Sequence, residues 1–448
     1  MNEPQTNSNP TSFSLPERIV QILYNFFILP LLVVFVHFAA LVHPKIRRGL
    51  SGRRHLLARL QKALNTFDRS RPVLLLHAAS MGEYEQARPV MRELRRQAPE
   101  WLIVASVFSP SVYEHICAGE EADVVTYLPL DFPAAVGRFL EAIRPRALMI
   151  VRHDIWPNLL WQAASRNIRT LLIDASVHEG SLRHRWGIRQ FYRLLFRRFD
   201  VISAVSASAL EGMAAFLSPP VKAIVHGDTR FDQVIYRARE KRARDVLPEE
   251  VLHWRRIWVA GSTWPEDEAV ILPAFAELRR IFGLKLILVP HEPTEAHIQE
   301  SIQKCARLGL RVQRLSTFNN RAEADVLLVD RIGILAGLYG AGRFAFVGGS
   351  FGPGVHSVIE AAAHGLPVLF GPRMRNSLEA IAMVEEGCGF VIHDSQSCLE
   401  LVKHWLQEEA VLDAAARRAK AFVDERTGAS EKIVRTLLEC VSDGDDSR

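Results

Sequence analysis

The chain holds few cysteines and none in a useful arrangement. Cys117, Cys305, Cys388, Cys398 and Cys440 are odd in number and scattered, with no CxxC and no paired histidine nearby. Neither a disulfide framework nor a zinc site is therefore suggested, and a reducing compartment fits best. An excess of one charge is also missing: 55 Lys and Arg against 50 Asp and Glu leave a formal +5, too mild for a nucleic-acid partner unless concentrated. There is no low-complexity tract, no GxGxxG and no Gly-Lys-Ser/Thr loop, so neither a dinucleotide fingerprint nor ATP hydrolysis is favoured. What is present is a 448-residue chain, 48% hydrophobic and 23% charged, enough for about three average domains or two large ones.

One long apolar run stands near the start. Residues 19–42 hold no Asp, Glu, Lys or Arg, long enough to cross a bilayer as a helix. Asn25, Pro30 and His37 suit a tilted or interfacial helix better than a clean span, and both arrangements stay open. Lys45, Arg47, Arg48, Arg53, Arg54, Arg59 and Lys62 follow the run, whereas residues 1–18 carry only Arg18 with Glu3 and Glu17. The positive-inside rule then puts the body of the protein in the cytoplasm. A secretory signal peptide would carry its basic residues before the run. A buried core helix with a solvated basic flank is the alternative. Further on, Arg185, Arg189, Arg193 and Arg197 recur every four residues, giving a helix stripe that is either solvated or turned to anionic lipid.

After residue 68 short apolar runs alternate with helical stretches. Residues 73–76, 102–107, 147–151, 170–173 and 201–205 read as buried parallel strands, and a second series covers 257–260, 284–289, 326–329, 344–347, 367–370 and 389–392. Two doubly wound α/β halves are expected. The charged stretch around 228–256 is the expected connection. The division read from the sequence is a flexible 1–18, an anchor and basic flank at 19–62, a first domain at 63–235 and a second at 236–448. Because open α/β sheets bind ligands beyond the carboxyl ends of their strands, a cleft between the halves is the expected site.

Three strand-end motifs carry chemistry. In Ser80-Met81-Gly82-Glu83, Ser80 suits a helix cap, Gly82 allows close approach, and Glu83 is either a general base or an acid complementing the helix dipole. Arg152-His153-Asp154-Ile155-Trp156-Pro157-Asn158 follows another strand; Asp154 as a cap and Trp156 as core is the competing reading. Gly348-Gly349-Ser350-Phe351-Gly352-Pro353-Gly354 leads into a helix with Glu360 in its first turn, where amides can hold a phosphate and a carboxylate a ribose. Ser262 and Thr263, Pro290 and His291, Ile332 to Ile334 through Gly333, and Asn376 with Glu379 lie after four further strands. Each alone is equally a turn or cap; their shared position favours a nucleotide site.

Together, Ser80-x-Gly82-Glu83, Trp156-Pro157-Asn158, Gly227-Asp228-Thr229-Arg230-Phe231-Asp232, Phe346-Val347-Gly348-Gly349-Ser350, the run from Glu360 to Val368, and Gly371-Pro372-x-x-x-Asn376-x-x-Glu379 resemble the Kdo transferases, which attach 3-deoxy-D-manno-octulosonic acid from CMP-Kdo to the lipid A precursor. The resemblance covers nearly the whole chain. It implies a GT-B architecture, two Rossmann-like domains facing a cleft, and an inverting, metal-independent glycosyltransferase on the cytoplasmic side of the bacterial inner membrane, with anionic lipids and no nucleic acid as partners. It implies Glu83 as general base, with Arg152, Asp154 and Arg230 as further catalytic residues. CMP-Kdo is expected on Ser262, Thr263, Pro290, His291, Ile332, Gly333, Ile334, Gly349, Ser350, Gly354, Ser357, Val358, Ile359, Glu360, Asn376 and Glu379. The acceptor is expected on Ser80, Gly82, Trp156, Asn158 and Arg183. The chain departs from the family where Arg152 replaces an acid, Pro290-His291-Glu292 replaces Pro-Arg-His, Ser357 replaces Asn and Arg230 replaces Lys. Another GT-B transferase, separable by the nucleotide it releases, and an inactive membrane-bound scaffold are the alternatives.

Overall fold

In the computed structural model residues 13–443 are described, apart from 117, 178–182, 184, 241 and 320–322. The chain divides into two compact units, residues 1–233 with 428–448, and residues 234–427.

The first unit carries a seven-stranded parallel sheet: β1 Val73–Ala78, β2 Leu102–Val107, β3 Val124–Tyr127, β4 Ala147–Val151, β5 Arg169–Ala175, β6 Val201–Ala204 and β7 Lys222–Val225, in the order β3-β2-β1-β4-β5-β6-β7. Its central strands are buried throughout and mostly apolar because helices cover both faces. Alternation along the strands separates two cores. Leu75, Val104, Leu148 and Ile150 face one, closed by Tyr24, Leu29, Leu56, Leu60 and Leu64 from the N-terminal helices. Leu74, Leu76, Ile103 and Met149 face the other, closed by the Met81–Gln97 helix and by Ile433, Val434, Leu437 and Val441.

That last set corrects the expected domain division. The helix Ala429–Ser442 returns to the first unit, where its apolar face covers the sheet and Asp232 accepts bonds from Gly428 N (2.6 Å) and Ser430 N (2.7 Å). The expected flexible start at 1–18 also changes at its described end. Helix begins at Leu15, and Glu17 is buried against Arg198.

The second unit carries β8 Ile257–Thr263, β9 Lys285–Pro290, β10 Val312–Arg314, β11 Val326–Leu328, β12 Phe344–Val347, β13 Val368–Phe370 and β14 Gly389–Val391, again all parallel, in the order β10-β11-β9-β8-β12-β13-β14. In each sheet the strand order reverses at the centre, between β1 and β4 in the first and between β8 and β12 in the second, where β11 in addition lies inside β10. A parallel sheet leaves room for a ligand at such a reversal, because the connecting helices leave in opposite directions.

Candidate functional site

The reversal point of the first unit gathers four expected residues, Ser80, Gly82, Glu83 and Asp154. Ser80 follows β1 and caps the Met81–Gln97 helix. Glu83, in the first turn, folds back so that its Oε2 accepts from Ala79 N at 2.7 Å and Ser80 N at 3.1 Å. The capping reading of Glu83 is thus realised, and it leaves the carboxylate fixed at the carboxyl end of the central strand. Gly82 is exposed beside it. Burial pushes the Glu83 carboxyl above its usual range, opposed by the two amides, while the nearby Asp154 charge pushes it the same way.

Asp154 reaches this point from β4. Its Oδ2 lies 2.9 Å from His77 Nε2 and accepts from Trp156 Nε1 at 2.8 Å. Burial opposes ionisation of Asp154, but the bonds from His77 and Trp156 prevail and hold its carboxyl below its usual range. His77 is fully buried, with Nδ1 3.0 Å from Ser106 Oγ. His77 carries no role in the sequence-based expectation, although a lone imidazole directly after three leucines and just before the Ser80–Glu83 motif is a visible signal. Trp156 stacks on Phe108 with centroids 5.1 Å apart, and the Arg53 guanidinium sits 4.4 Å from the other ring's centre.

Arg152 and Arg230 belong to a second cluster. Arg152 has φ 61° and a buried Nε without a hydrogen-bond partner. Its charge acts on the fully buried Asp174, which burial and the neighbouring Asp228 push well above the usual carboxylate range. Asp174 accepts from Thr229 N at 3.1 Å, and Arg230 is clamped by Asp228 at 2.6 Å. The charge expected of Arg230 is therefore partly neutralised by a carboxylate two residues away. Arg183 donates to His153 O at 3.3 Å and lies over Tyr192.

Asn158 departs from its expected role. It is buried, and its Nδ2 donates to Asp131 O at 2.5 Å and to Asn25 Oδ1 at 2.7 Å. That amide holds the N-terminal helix on the unit rather than facing an acceptor.

At the reversal point of the second unit, the glycine-rich loop after β12 lies against β8. A Cβ on Gly348 would come within 2.2 Å of Ser262 O, and Gly349 has φ 92°. The loop's amides differ from expectation. Gly349 N (2.7 Å) and Phe351 N (3.3 Å) donate to the buried Asp267 of the Pro265–Phe282 helix, so an internal carboxylate occupies the place expected for a phosphate. Burial pushes the Asp267 carboxyl up, and these amides oppose it. Ser350 is equally internal, accepting from Gly371 N at 2.6 Å. Thr263 is buried and bonds Glu268 at 3.2 Å. The side chains of Val358 and Ile359 are core, not lining.

Other expected donor residues stay near the surface. Asn376 pairs with the Val355 main chain in both directions (3.2 and 2.9 Å) beside Gly354, where a Cβ would come within 2.8 Å of Asn376 Oδ1. Glu379 accepts from Ser377 Oγ at 2.9 Å, Glu360 lies 3.6 Å from Arg237, and Ser357 is exposed. On the loop before the Leu335–Leu338 helix, Ile332 is 81% exposed, Gly333 has φ 80° and Ile334 precedes the helix. Pro290 ends β9 and His291 follows it, stacked on His356 at 4.2 Å and on Trp264 at 5.1 Å. A cavity of about 270 Å³ opens there, lined by Trp264, His291, Thr294, His297 and Glu300 among others. Trp264 was absent from the expected set, although it directly follows Ser262 and Thr263.

The comparisons bear on this arrangement. The fold is that of a UDP-GlcNAc 2-epimerase from Neisseria meningitidis bound to UDP-GlcNAc (16% identity, 82% of this chain and 100% of that one, TM-score 0.59) and a glycosyltransferase from Rickettsia africae (11%, 83% and 98%, TM-score 0.54). The two-sheet GT-B type architecture is therefore shown. In sequence, residues 53–233 match the family described as 3-deoxy-D-manno-octulosonic-acid transferase (kdotransferase). A 3-deoxy-D-manno-octulosonic acid transferase of Haemophilus influenzae is 26% identical over 91% of this chain and 95% of its own. One of Aquifex aeolicus is 32% identical over 79% of this chain and 92% of its own, and with that extent of likeness across both units the chain belongs to the 3-deoxy-D-manno-octulosonic acid transferase family.

Proposed function

We propose that the protein transfers Kdo from CMP-Kdo to the lipid A precursor, a phosphorylated glucosamine lipid, in lipopolysaccharide biosynthesis, with inversion and without a metal. The observation that carries this is Glu83, a desolvated carboxylate fixed by two amides at the sheet reversal and facing the charge of Asp154. A sugar hydroxyl is a weak nucleophile until its proton leaves, and a carboxylate with raised basicity removes it as the new bond to the anomeric carbon forms. The bond between that carbon and the phosphate oxygen breaks in the same step, and its electron pair departs with CMP. The leaving phosphate carries developing negative charge, which a positive field must stabilise.

A lipid acceptor supports a reading in which the reaction runs at the cytoplasmic face of the inner membrane, among its anionic lipids, and the apolar Leu15–Val42 helix agrees with it. The experiment is mass spectrometry of the lipid formed from CMP-Kdo and the lipid A precursor by the purified protein. A product heavier by Kdo units, with CMP released, is expected. UDP release from a UDP-sugar, or no product at all, would replace this reading with another GT-B transferase or with a scaffold.

A further inference from the structure

The Leu15–Val42 helix is about 42 Å long at 1.5 Å per residue, more than the ~30 Å of a bilayer's hydrocarbon, so length alone permits it to cross. Its contacts do not. Near its start, Glu17 is buried against Arg198, with bonds of 2.8 and 2.7 Å. About two turns later Tyr24 Oη donates to Asp131 at 3.0 Å, and Asn25 accepts from Asn158 at 2.7 Å. Tyr24 also meets Trp161 edge-on and stacks on Phe191, and Leu29 is 1% exposed in the first unit's core.

Beyond the far end the chain breaks at His43 and docks again on the same unit. Arg53 donates to Phe108 O and Leu128 O at 3.1 and 2.8 Å, and Leu56, Leu60 and Leu64 enter the same core. A crossing helix would put these two docking regions on opposite sides of the membrane. One globular unit holds both.

The exposed side of the helix is mainly apolar, interrupted by Arg18 near its start and His37. Leu15, Ile22, Phe26, Phe27, Leu31, Phe35, Phe38 and Leu41 are all more than half exposed. Against it packs the Trp186–Phe196 helix through Phe191, presenting Trp186 at 76% exposure with the exposed Arg185 beside it. Exposed Lys45, Arg47, Arg48 and Arg54 follow the other end. An apolar strip bordered by cations and a tryptophan matches the layering of one leaflet, with tails inside, headgroups outside and indole between.

We infer that the N-terminal helix does not span the bilayer but lies in a single anionic leaflet as part of the first unit's surface, with both of its ends on the same side. This stands independently of the transfer reaction. It is tested on the full chain, expressed in cells and recovered in sealed inverted membrane vesicles, by a membrane-impermeant maleimide with labelled peptides mapped by mass spectrometry. Ser12→Cys and Lys62→Cys should label equally before and after detergent, whereas Phe38→Cys should label only after it. Protection of Ser12→Cys alone would mean a crossing helix and overturn the inference. Free labelling of Phe38→Cys would overturn the lipid seat.

Discussion

Glu83 makes its own helix cap and also stands where a base is needed, and the two roles are compatible because capping uses amides as donors while leaving the carboxylate ionised. Glu83→Gln keeps hydrogen-bond capacity and size but removes the proton acceptor. Transfer should fall by about 10²- to 10⁴-fold, the usual worth of a positioned base, with CMP binding unchanged by calorimetry. Full activity in that variant would remove Glu83 from the chemistry. The neighbouring charge gives a second, directional check. Asp154 raises the Glu83 pKa, so Asp154→Asn should lower it and move the acidic limb of the kcat/KM profile to lower pH. The wild type should lose activity on acidification above the pH at which an ordinary glutamate protonates. A merely structural Asp154 would reduce the rate without moving that limb.

Among elements, the glycine-rich loop shows how an internal anion shapes a site. Asp267 satisfies amides from Gly349, Phe351 and Trp264, and bonds to a charged acceptor contribute about 1.5–3 kcal/mol each. Asp267→Ala should therefore loosen the loop, lower the melting temperature and weaken CMP binding together, while leaving Glu83 and its surroundings intact. Unchanged CMP affinity would separate the loop from the donor. Asp325 braces the opposite part of the sheet, tying the start of β11 to the start of β10 through Arg311 at 3.0 Å and to the Pro265–Phe282 helix through Arg279 at 3.0 Å. Burial would raise its carboxyl, but Arg311 and Arg279 outweigh that and hold it at about 2 against an ordinary 3.8. A depressed carboxyl pKa stabilises above pH ~4, and this contribution disappears as pH falls through about 2. Its size is on the order of 1 kcal/mol given the half-exposed Arg311 partner, read as a smaller acid-induced loss in Asp325→Asn by denaturant titration at pH 5 and pH 3.

The same scale explains what reading the chain could and could not find. The central strands were legible because both faces are covered, which demands continuous apolar runs. β3, β7 and β10 were missed, and all three are edge strands. β7 reads Lys-Ala-Ile-Val with exposed ends, and β10 Val-Gln-Arg is only partly buried, so neither needs the pattern that reveals a core strand. Glu83 and Asp154 were legible from their position at strand ends. The engagement of Asn158 with Asn25, and of Asp267 with the loop amides, joins residues 133 and 82 apart in sequence, and no local spacing announces such pairs.

At the scale of the whole molecule, the first unit is closed by both ends of the chain. The N-terminal helices cover one face of its sheet, and the Ala429–Ser442 helix covers the other. The unit is therefore complete only when residue 442 has been made, although its last strand ends at Val225. Ile433, Val434, Leu437 and Val441 are between 0% and 7% exposed, and burying each contributes about 1.5–3 kcal/mol. The sum, roughly 6–12 kcal/mol, is comparable to the whole stability of an ordinary domain, ~5–15 kcal/mol. Deleting residues 428–448 should thus leave the first unit unable to hold its fold. The second unit, residues 234–427, lies between the two chain segments that build the first and contributes nothing to that sheet. Limited proteolysis of the truncated protein should then degrade residues 13–233 and leave a resistant fragment covering 257–424, with a retained helix-dominated α/β circular dichroism spectrum. Equal resistance of both units would show that the last helix only decorates the sheet, and that β1 to β7 close their core without it.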